Sequence, residues 1–201
     1  MKHLATAVLV LLTVLNIAAA SQRAPQNSVT TAGHSAEYLS MERKVEKLKH
    51  NAEQSQPDSA PTQLTTAEIN AYMNEGGINL PTGVQGVRFS SKPAVITAAS
   101  RIDFDALTAG RSSMNPLLSV FTGVHDVIVV AQATGAGGEG SVRVESMSID
   151  GLEVPRAAMQ FFVDRYLKPR YPRVGLDSRF RLPLRIDTAI IGTGSVSLTQ
   201  R

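Results

Sequence analysis

Two aspartates on one predicted strand are the first residues that could perform chemistry. Asp103 and Asp105 are two positions apart, so their side chains share one face of a strand, together with Arg101. A carboxylate pair of this kind can serve hydrolysis or hold a cation. Because Ile102 and Phe104 mark the opposite side of the strand as core, we favour a solvated polar face for the aspartates.

A histidine and a glycine motif are the other chemical candidates. The pair His125-Asp126 at the start of a strand could support acid–base chemistry, but an ordinary surface or turn role is more typical. The G-x-G-x-x-G pattern of dinucleotide sites is matched by Gly135, Gly137 and Gly140. That site requires a helix directly after the glycines, whereas residues 141–145 alternate like a strand, so we predict a hairpin.

Composition excludes several other chemistries. The chain has 201 residues and no cysteine, which excludes disulfides, thiol nucleophiles and cysteine-based zinc or iron–sulfur sites. It contains neither a P-loop nor a G-x-S-x-G elbow, and no histidine has a second ligand at metal-ligand spacing on the same element. The sequence therefore offers no clear catalytic constellation and no metal site.

The first 20 residues have the layout of an export signal. A short basic start is followed by an apolar run over residues 4–15 and by small residues at Ala18 and Ala20, which predicts cleavage before Ser21. An uncleaved anchor is the competing interpretation, but the run is shorter than the roughly 20 apolar residues that a transmembrane helix requires. We expect an exported protein, located in the periplasm or outside the cell.

Basic residues are concentrated in the last quarter of the chain. Residues 156–201 carry nine basic and three acidic side chains, a net charge of +6, whereas the whole chain has +3. In an exported protein this charge suits anionic lipid headgroups or envelope polymers better than nucleic acid. The predicted headgroup contacts are Arg165, Lys168, Arg170 and Arg173. The alternative is a solvated charged face without a partner, and Phe161 nearby is either core or a membrane-touching aromatic.

Residues 21–63 are predicted to precede the folded domain. The polar stretch up to Gly33 is interpreted as a flexible tail, and residues 53–63, with two prolines, as a linker. Between them, residues 36–52 have a narrow apolar stripe at helical spacing, formed by Met41, Val45, Leu48 and Ala52. We expect this separate N-terminal helix to pack loosely on the domain or to project from it.

The domain over residues 64–201 is predicted to be α+β. Thr65 and Glu68 form a capping box that opens a helix. Strands follow over 84–104 and 125–150. In the last of these strands, over residues 141–150, the apolar positions change phase, which predicts a β-bulge. A second helix after Pro155 has an apolar face of Met159, Phe162, Val163, Tyr166 and Leu167, and a final hairpin follows. The order helix, four strands, helix, two strands corresponds to a long curved antiparallel sheet packed on two helices.

Four segments together resemble bacterial exported proteins related to the tubular lipid-binding (TULIP-like) superfamily: LTTAEINAY (64–72), IDFDAL (102–107), GLEVP (151–155) and FRLPL (180–184). In those proteins an LT-x-x-E-[IL]-N-x-[YL] helix leads into a twisted sheet with a DFD-x-L strand end and a G-L-x-[VI]-P helix entry. The resemblance spans about residues 64 to 200. It implies a curved sheet wrapped on helices, an apolar groove for acyl chains, no enzyme activity and no cofactor.

We therefore expect a non-enzymatic protein that binds a lipid or another hydrophobic ligand. Acyl chains would lie between a sheet face and a helix face formed by Ile96, Ala98, Ile102, Phe104, Phe162 and Tyr166. The alternative is a structural or assembly protein of the cell envelope, in which helices fill that face as a closed core and a protein or polymer is the partner. A hydrolase that uses Asp103 and Asp105 is the least favoured hypothesis.

Overall fold

Apolar residues alternate with polar ones along most of the strands, and this pattern produces one antiparallel sheet. The structure, a computed structural model, describes residues 33–80, 82–108, 122–164, 168 and 175–201. Within these residues the strands are β1 (Thr62–Thr65), β2 (Val84–Lys92), β3 (Val95–Asp103), β4 (Val124–Ala136), β5 (Glu139–Ile149), β6 (Leu152–Glu153), β7 (Asp177–Arg181), β8 (Ile186–Gly192) and β9 (Ser195–Gln200). The helices are α1 (Ala36–Glu53), α2 (Thr66–Asn74), α3 (Phe104–Thr108) and α4 (Arg156–Phe162). The predicted α+β class with a large antiparallel sheet is confirmed.

β4 is the central strand of the sheet, because it pairs with β3, β5 and β8. One edge of β4 pairs with β3 and the other with β5, and β2 and β7 extend these two sides. Beyond the start of β3, Gly135 of β4 pairs with Ala189 of β8, from which β9 and β1 continue. A Cβ atom on Gly135 would lie only 2.7 Å from the Cβ of Ala189. Glycine is therefore needed where β8 approaches β4.

The glycine motif forms the β4–β5 hairpin, as predicted. Gly137 and Gly138 occupy its turn with φ of 63° and 78°, a conformation that favours glycine. A Cβ atom on Gly140 would lie 2.7 Å from the ring of Phe180 on the neighbouring β7. The glycines thus serve the turn and the close packing of strands, and β5 rather than a helix follows them.

The first apolar cluster lies between α1, α2 and one half of the sheet. α1 contributes Met41, Val45 and Leu48, and α2 contributes Ile69 and Met73, each at most 4% exposed. The prediction that the N-terminal helix packs loosely or projects is therefore wrong. α2 has nine residues and is only about 13 Å long, too short to cover this half of the sheet alone, so the stripe of α1 completes the core.

Glu68 joins α1 to α2. Its capping box with Thr65 is confirmed, and its carboxylate also accepts hydrogen bonds from Lys44 and Ser40 of α1, at 2.6 Å and 2.5 Å. Burial alone would raise the pKa of Glu68, but the hydrogen bonds from Lys44, Ser40 and Thr65 outweigh burial and lower it from 4.5 to about 2. The charged form of Glu68 therefore stabilises the pairing of the two helices.

Side chains of α2 close the edge of the sheet along β2. Asn70 donates to the C=O of Phe89 at 2.9 Å and accepts from its N–H at 2.6 Å. Asn74 makes the same pair of hydrogen bonds with Val87, at 2.7 Å and 2.9 Å. These amides take the place of a neighbouring strand, which leaves fewer free backbone groups for pairing with another chain.

The second apolar cluster lies further along the same sheet face, where α4 covers it. Its buried members are Ile102, Phe104, Val127, Val129, Val144, Met159, Val163 and Leu176. The predicted β-bulge in β5 is confirmed. Val130 and Ala131 of β4 pair with Ser146 and Val144 of β5, which leaves Glu145 as the extra residue. The extra residue keeps Met147 and Ile149 packed against the cluster.

Two parts of the predicted element order are wrong. Residues 62–65, predicted to be the linker end and the helix start, form β1 and pair with β9. The first strand of the predicted final hairpin, in which apolar residues alternate over 180–186, is divided into β7 and β8 because Leu184 and Arg185 adopt positive φ of 52° and 54°. No local sequence pattern indicates that β1 pairs with β9, which is distant in sequence. No local pattern indicates a turn at Leu184 and Arg185 either, because this turn contains no glycine.

Several predictions fall on residues outside the described ranges. These are the export signal (1–20), the tail as far as residue 32, the side chain of Phe162, and Arg165, Tyr166, Leu167, Arg170 and Arg173.

Candidate ligand-binding site

Of the four residues that the sequence predicts on one strand face, Ile96, Ala98 and Ile102 lie on one face of β3, whereas Phe104 begins α3, and the four belong to different clusters. Ile96 and Ala98 lie in the first cluster, and Ile102 and Phe104 lie in the second. Each is at most 7% exposed. The predicted face therefore exists, but it is divided into two regions with different helical covers.

In the first cluster, α1 and α2 occupy the place where a groove is predicted. The side chains of Met41, Ile69 and Met73 are among the most deeply buried of the described residues, and they pack in the same cluster as Ile96 and Ala98. Around Ile96 and Ala98 the described chain thus forms a closed core, which corresponds to the alternative arrangement considered from the sequence.

Within the described residues, the second cluster has a smaller helical cover. α4 has seven residues, and its N-cap residue, Pro155, offers no side-chain hydrogen bond to the first turn. Met159 and Val163 are buried in the cluster. In the same segment, Leu152 and Phe161 are 76% and 49% exposed. The cover thus presents apolar side chains both to the cluster and to solvent.

The polar contacts of α4 lie near the surface. Arg156 donates to the C=O of Val144 at 3.0 Å and to the carboxylate of Asp177 at 2.9 Å. Near the other end, Lys168 forms an ion pair with Asp164 at 2.5 Å, and both side chains are about half exposed. Exposed ion pairs contribute about 0–1 kcal/mol each, so these contacts orient the segment more than they stabilise it.

His125 is engaged at the end of the second cluster. Its Nδ1 lies 2.5 Å from Oδ2 of Asp150, its Nε2 lies 3.0 Å from the C=O of Thr122, and its ring meets Phe104 edge-on. The hydrogen bond with Asp150 raises the pKa of His125 against a smaller opposing effect of desolvation. The carboxylate partner is Asp150 rather than the adjacent Asp126, and the pair connects β4 to the turn after β5.

The two candidate catalytic aspartates do not share a strand face as predicted, because Asp103 ends β3 and Asp105 lies in α3. Both contact backbone N–H groups. Asp103 accepts from the N–H of Ala106 at 2.9 Å, at the start of α3, and Asp105 accepts from the N–H of Gly123 at 2.9 Å. Both carboxylates thus stabilise local backbone structure. Across the ranges that the structure covers, no group of three or more His, Asp and Glu side chains is placed to hold a metal ion.

The structure also brings together three arginines that the sequence analysis did not select. Arg181, Arg185 and Arg201 line a cavity of about 700 Å³, here called the arginine cavity, beside the turn of the β4–β5 hairpin. The available signal was the positive charge of the last quarter of the chain. Their convergence depends on β7, the turn before β8 and the end of β9, which are far apart in sequence or divided by an unpredicted turn.

Comparison with known proteins adds no assignment, since no family model, curated protein or solved structure matches this chain. Among the described residues, no helix combines the length and the apolar character needed to cross a bilayer. The two apolar clusters and the charged surfaces of the chain itself are therefore the features that bear on its function.

Proposed function

We propose that this protein is exported and binds a lipid or another hydrophobic ligand without enzymatic activity, and that the ligand lies against the second apolar cluster beneath α4. The observation that carries the proposal is the difference in cover between the clusters. Two helices joined by buried polar contacts cover the first cluster, whereas within the described residues the second is covered by the buried side chains of Met159 in α4 and of Val163 directly after it.

A ligand can replace the contacts of α4 at modest cost. A helix of seven residues has little stability of its own, and the buried anchors that the structure describes there, Met159 and the following Val163, contribute about 1.5–3 kcal/mol each. Each buried methylene of an acyl chain contributes about 0.8 kcal/mol, so about six methylenes match both anchors. A fatty acid or a phospholipid exceeds that length, which favours its binding over the contacts that α4 provides.

The outer side of the same segment suits a membrane surface. Leu152 and Phe161 are exposed apolar side chains, and Arg156 and Lys168 are exposed basic ones. Apolar and basic side chains on one segment match the interface of an anionic bilayer. Vesicles with phosphatidylglycerol should therefore bind the protein better than pure phosphatidylcholine vesicles at low salt, and high salt should reduce the difference. Equal flotation with both vesicle types would contradict this part of the proposal.

The second candidate is a structural or assembly protein of the cell envelope. The closed packing around Ile96 and Ala98 favours it, because that region leaves no space for a ligand between the sheet and its helices. In this case α4 closes the second cluster in the same permanent way, and a protein or polymer binds the basic surface.

Native mass spectrometry of protein purified without detergent, followed by organic extraction, distinguishes the two candidates. Lipid binding predicts an adduct with the mass of a lipid, or stoichiometric uptake of a fluorescent fatty acid after delipidation. A protein that carries no lipid and takes up neither fatty acid nor phospholipid would contradict the proposed function and favour the envelope protein.

A further inference from the structure

The arginine cavity lies where two tight turns pack against each other. Gly137 and Gly138 form the turn of the β4–β5 hairpin, and Leu184 and Arg185 form the turn between β7 and β8. Gly138 joins them, because its N–H donates to the C=O of Asp187 at 2.9 Å and its C=O accepts from the N–H of Leu182 at 2.8 Å. The cavity wall is therefore fixed by backbone hydrogen bonds.

Three separate segments supply the basic groups of the cavity. Arg181 ends β7, Arg185 lies in the following turn, and Arg201 follows β9. Arg185 donates one hydrogen bond to the C=O of Gln54 at 2.9 Å, which leaves most of its donors unused. Within the described residues, the side chain of Arg181 forms no hydrogen bond or ion pair, and only its backbone is paired, with Glu139. The fold thus brings three arginines to one cavity without matching each to a carboxylate.

The backbone conformation at Arg185 is unfavourable for its residue type. A turn with two consecutive positive φ angles favours Asn-Gly, yet this one has Leu184 and Arg185 at 52° and 54°. The surrounding hydrogen bonds impose the conformation, since Ile186 donates to the C=O of Pro183 at 3.0 Å. Strained residues of this kind are concentrated at binding sites. Arginine at this position places a third guanidinium beside the cavity.

Two side-chain carboxylates limit the charge of the cavity. Asp187 faces Arg201, with Oδ1 of the aspartate 3.0 Å from Nη1 of the arginine. Glu139 lines the cavity opposite Arg181 in the strand pairing, but no ion pair joins the two side chains. Three guanidinium groups thus face two side-chain carboxylates at the cavity. A guanidinium group can donate two parallel hydrogen bonds to two oxygens of a phosphate, which a single ammonium group cannot do.

We propose that the arginine cavity binds a phosphate group, carried either by a lipid headgroup or by a free small molecule. The volume of about 700 Å³ admits a phosphate together with its substituent. The cavity is separate from the α4 region, because Gly137 is about 30 Å along β4 from Val127 of the second cluster. The phosphate site therefore does not depend on the proposed function, and either proposal can fail alone.

An NMR titration with inorganic phosphate, at constant ionic strength against chloride, tests the site through the amide signals of Gly137 and Gly138. Saturable shifts are expected in the native chain. Arg181→Gln should weaken phosphate binding about tenfold while leaving the thermal unfolding midpoint unchanged. Glu139→Gln should strengthen phosphate binding about twofold to fivefold by removing a repelling charge.

Arg179→Gln is the matched control, since Arg179 lies two residues away on the same face of β7 and does not line the cavity. It should leave the titration unchanged. Flotation with phosphatidylglycerol vesicles then identifies the source of the phosphate. A loss of vesicle binding in Arg181→Gln but not in Arg179→Gln indicates a headgroup, and equal vesicle binding in both indicates a free ligand. The absence of saturable shifts, or equal weakening by both variants, would overturn the phosphate site.

Discussion

The two apolar clusters lie on the same face of the sheet, but their helices are fixed to different extents. α1 spans 18 residues and begins at a side-chain cap from Ser35, and a buried carboxylate joins it to α2. α4 spans seven residues and has no side-chain cap, and among the described residues its buried contacts come from Met159 and from Val163 directly after the helix. One sheet face thus combines a closed core with the region whose cover we propose a ligand replaces.

Polar groups tie both ends of α1 to the rest of the domain. At its start, the N–H and the hydroxyl of Ser35 donate to Glu75 at 2.9 Å and 2.7 Å. At its end, Asn51 donates to the side chain of Gln200 at 2.8 Å, and Gln200 donates to the C=O of Leu48 at 2.8 Å. Gln200 is buried, so the loss of either bond leaves an unsatisfied amide in the core. α4 has no comparable buried polar contact within the described residues.

The largest expected effect comes from shortening one methionine in each cluster. Met41→Ala removes a fully buried side chain between three packed layers that cannot collapse, and it should lower the free energy of unfolding by about 3–5 kcal/mol. Met159→Ala should cost about 2 kcal/mol, because α4 can move to fill the space. Urea unfolding measures both values. A loss at Met159 as large as the loss at Met41 would show that α4 is fixed as firmly as α1.

The next effect is the acid sensitivity of the first cluster. The pKa of Glu68 is lowered from 4.5 in the unfolded chain to about 2, so the carboxylate stabilises the fold fully above about pH 4.5. This contribution, on the order of 3 kcal/mol, should be lost as the pH falls toward 2. In Glu68→Gln the free energy of unfolding should be lower at pH 7 and should fall less between pH 4.5 and 2.

Glu75→Gln is the control for the acid effect, since Glu75 is a more exposed carboxylate that also contacts α1. The hydrogen bonds from Ser35 lower its pKa, but its exposure to water makes its contribution smaller. An acid profile of Glu68→Gln that follows the native profile would contradict the role of Glu68 between the helices.

A tryptophan placed in each cluster should distinguish how tightly the cluster is packed from whether a ligand can enter it. Ile96→Trp overfills the closed first cluster and should lower the free energy of unfolding by about 1–3 kcal/mol. Ile102→Trp should cost less and should block fatty-acid uptake, because it occupies the space proposed for the ligand. Thermal unfolding and uptake are measured on both variants. Equal destabilisation by the two substitutions, with uptake retained in Ile102→Trp, would count against the ligand site.

The smallest expected effect concerns His125 and Asp150 at the end of the second cluster. The pKa of His125 is raised above 6.5, so its pairing stabilises the fold fully below about pH 6.5, and this stability declines as the pH rises through the raised value. The pKa of Asp150 is lowered, so its contribution is lost as the pH falls below 3.8. His125→Asn should flatten the stability profile above pH 6.5. Asp126→Asn, beside the same histidine, should preserve it.

Local patterns made much of the fold predictable. The four long strands, the capping box at Thr65, the glycine hairpin and the bulge in β5 each depend on residues close in sequence. The burial of α1 was not predictable in this way. A stripe such as Met41, Val45 and Leu48 indicates a helix with one apolar face, but it does not indicate which surface covers that face.

The candidate sites were less predictable than the fold. Strand alternation identified the face of Ile96 and Ile102, but the division into two clusters depends on helices that lie far from β3 in sequence. The arginine cavity depends on a turn at Leu184 and Arg185, residue types that seldom adopt positive φ. Charge counting located the basic region of the chain and did not indicate which three arginines converge.

The most direct test of the central claim uses the absence of native tryptophan. Phe104→Trp and Phe89→Trp are matched substitutions of buried phenylalanines, in the second and the first cluster respectively. Each variant is titrated with a fatty acid brominated along its acyl chain, which quenches tryptophan fluorescence on contact. The proposed function predicts saturable quenching at position 104 and none at position 89. Quenching at neither position, or equal quenching at both, would contradict a ligand site confined to the second cluster.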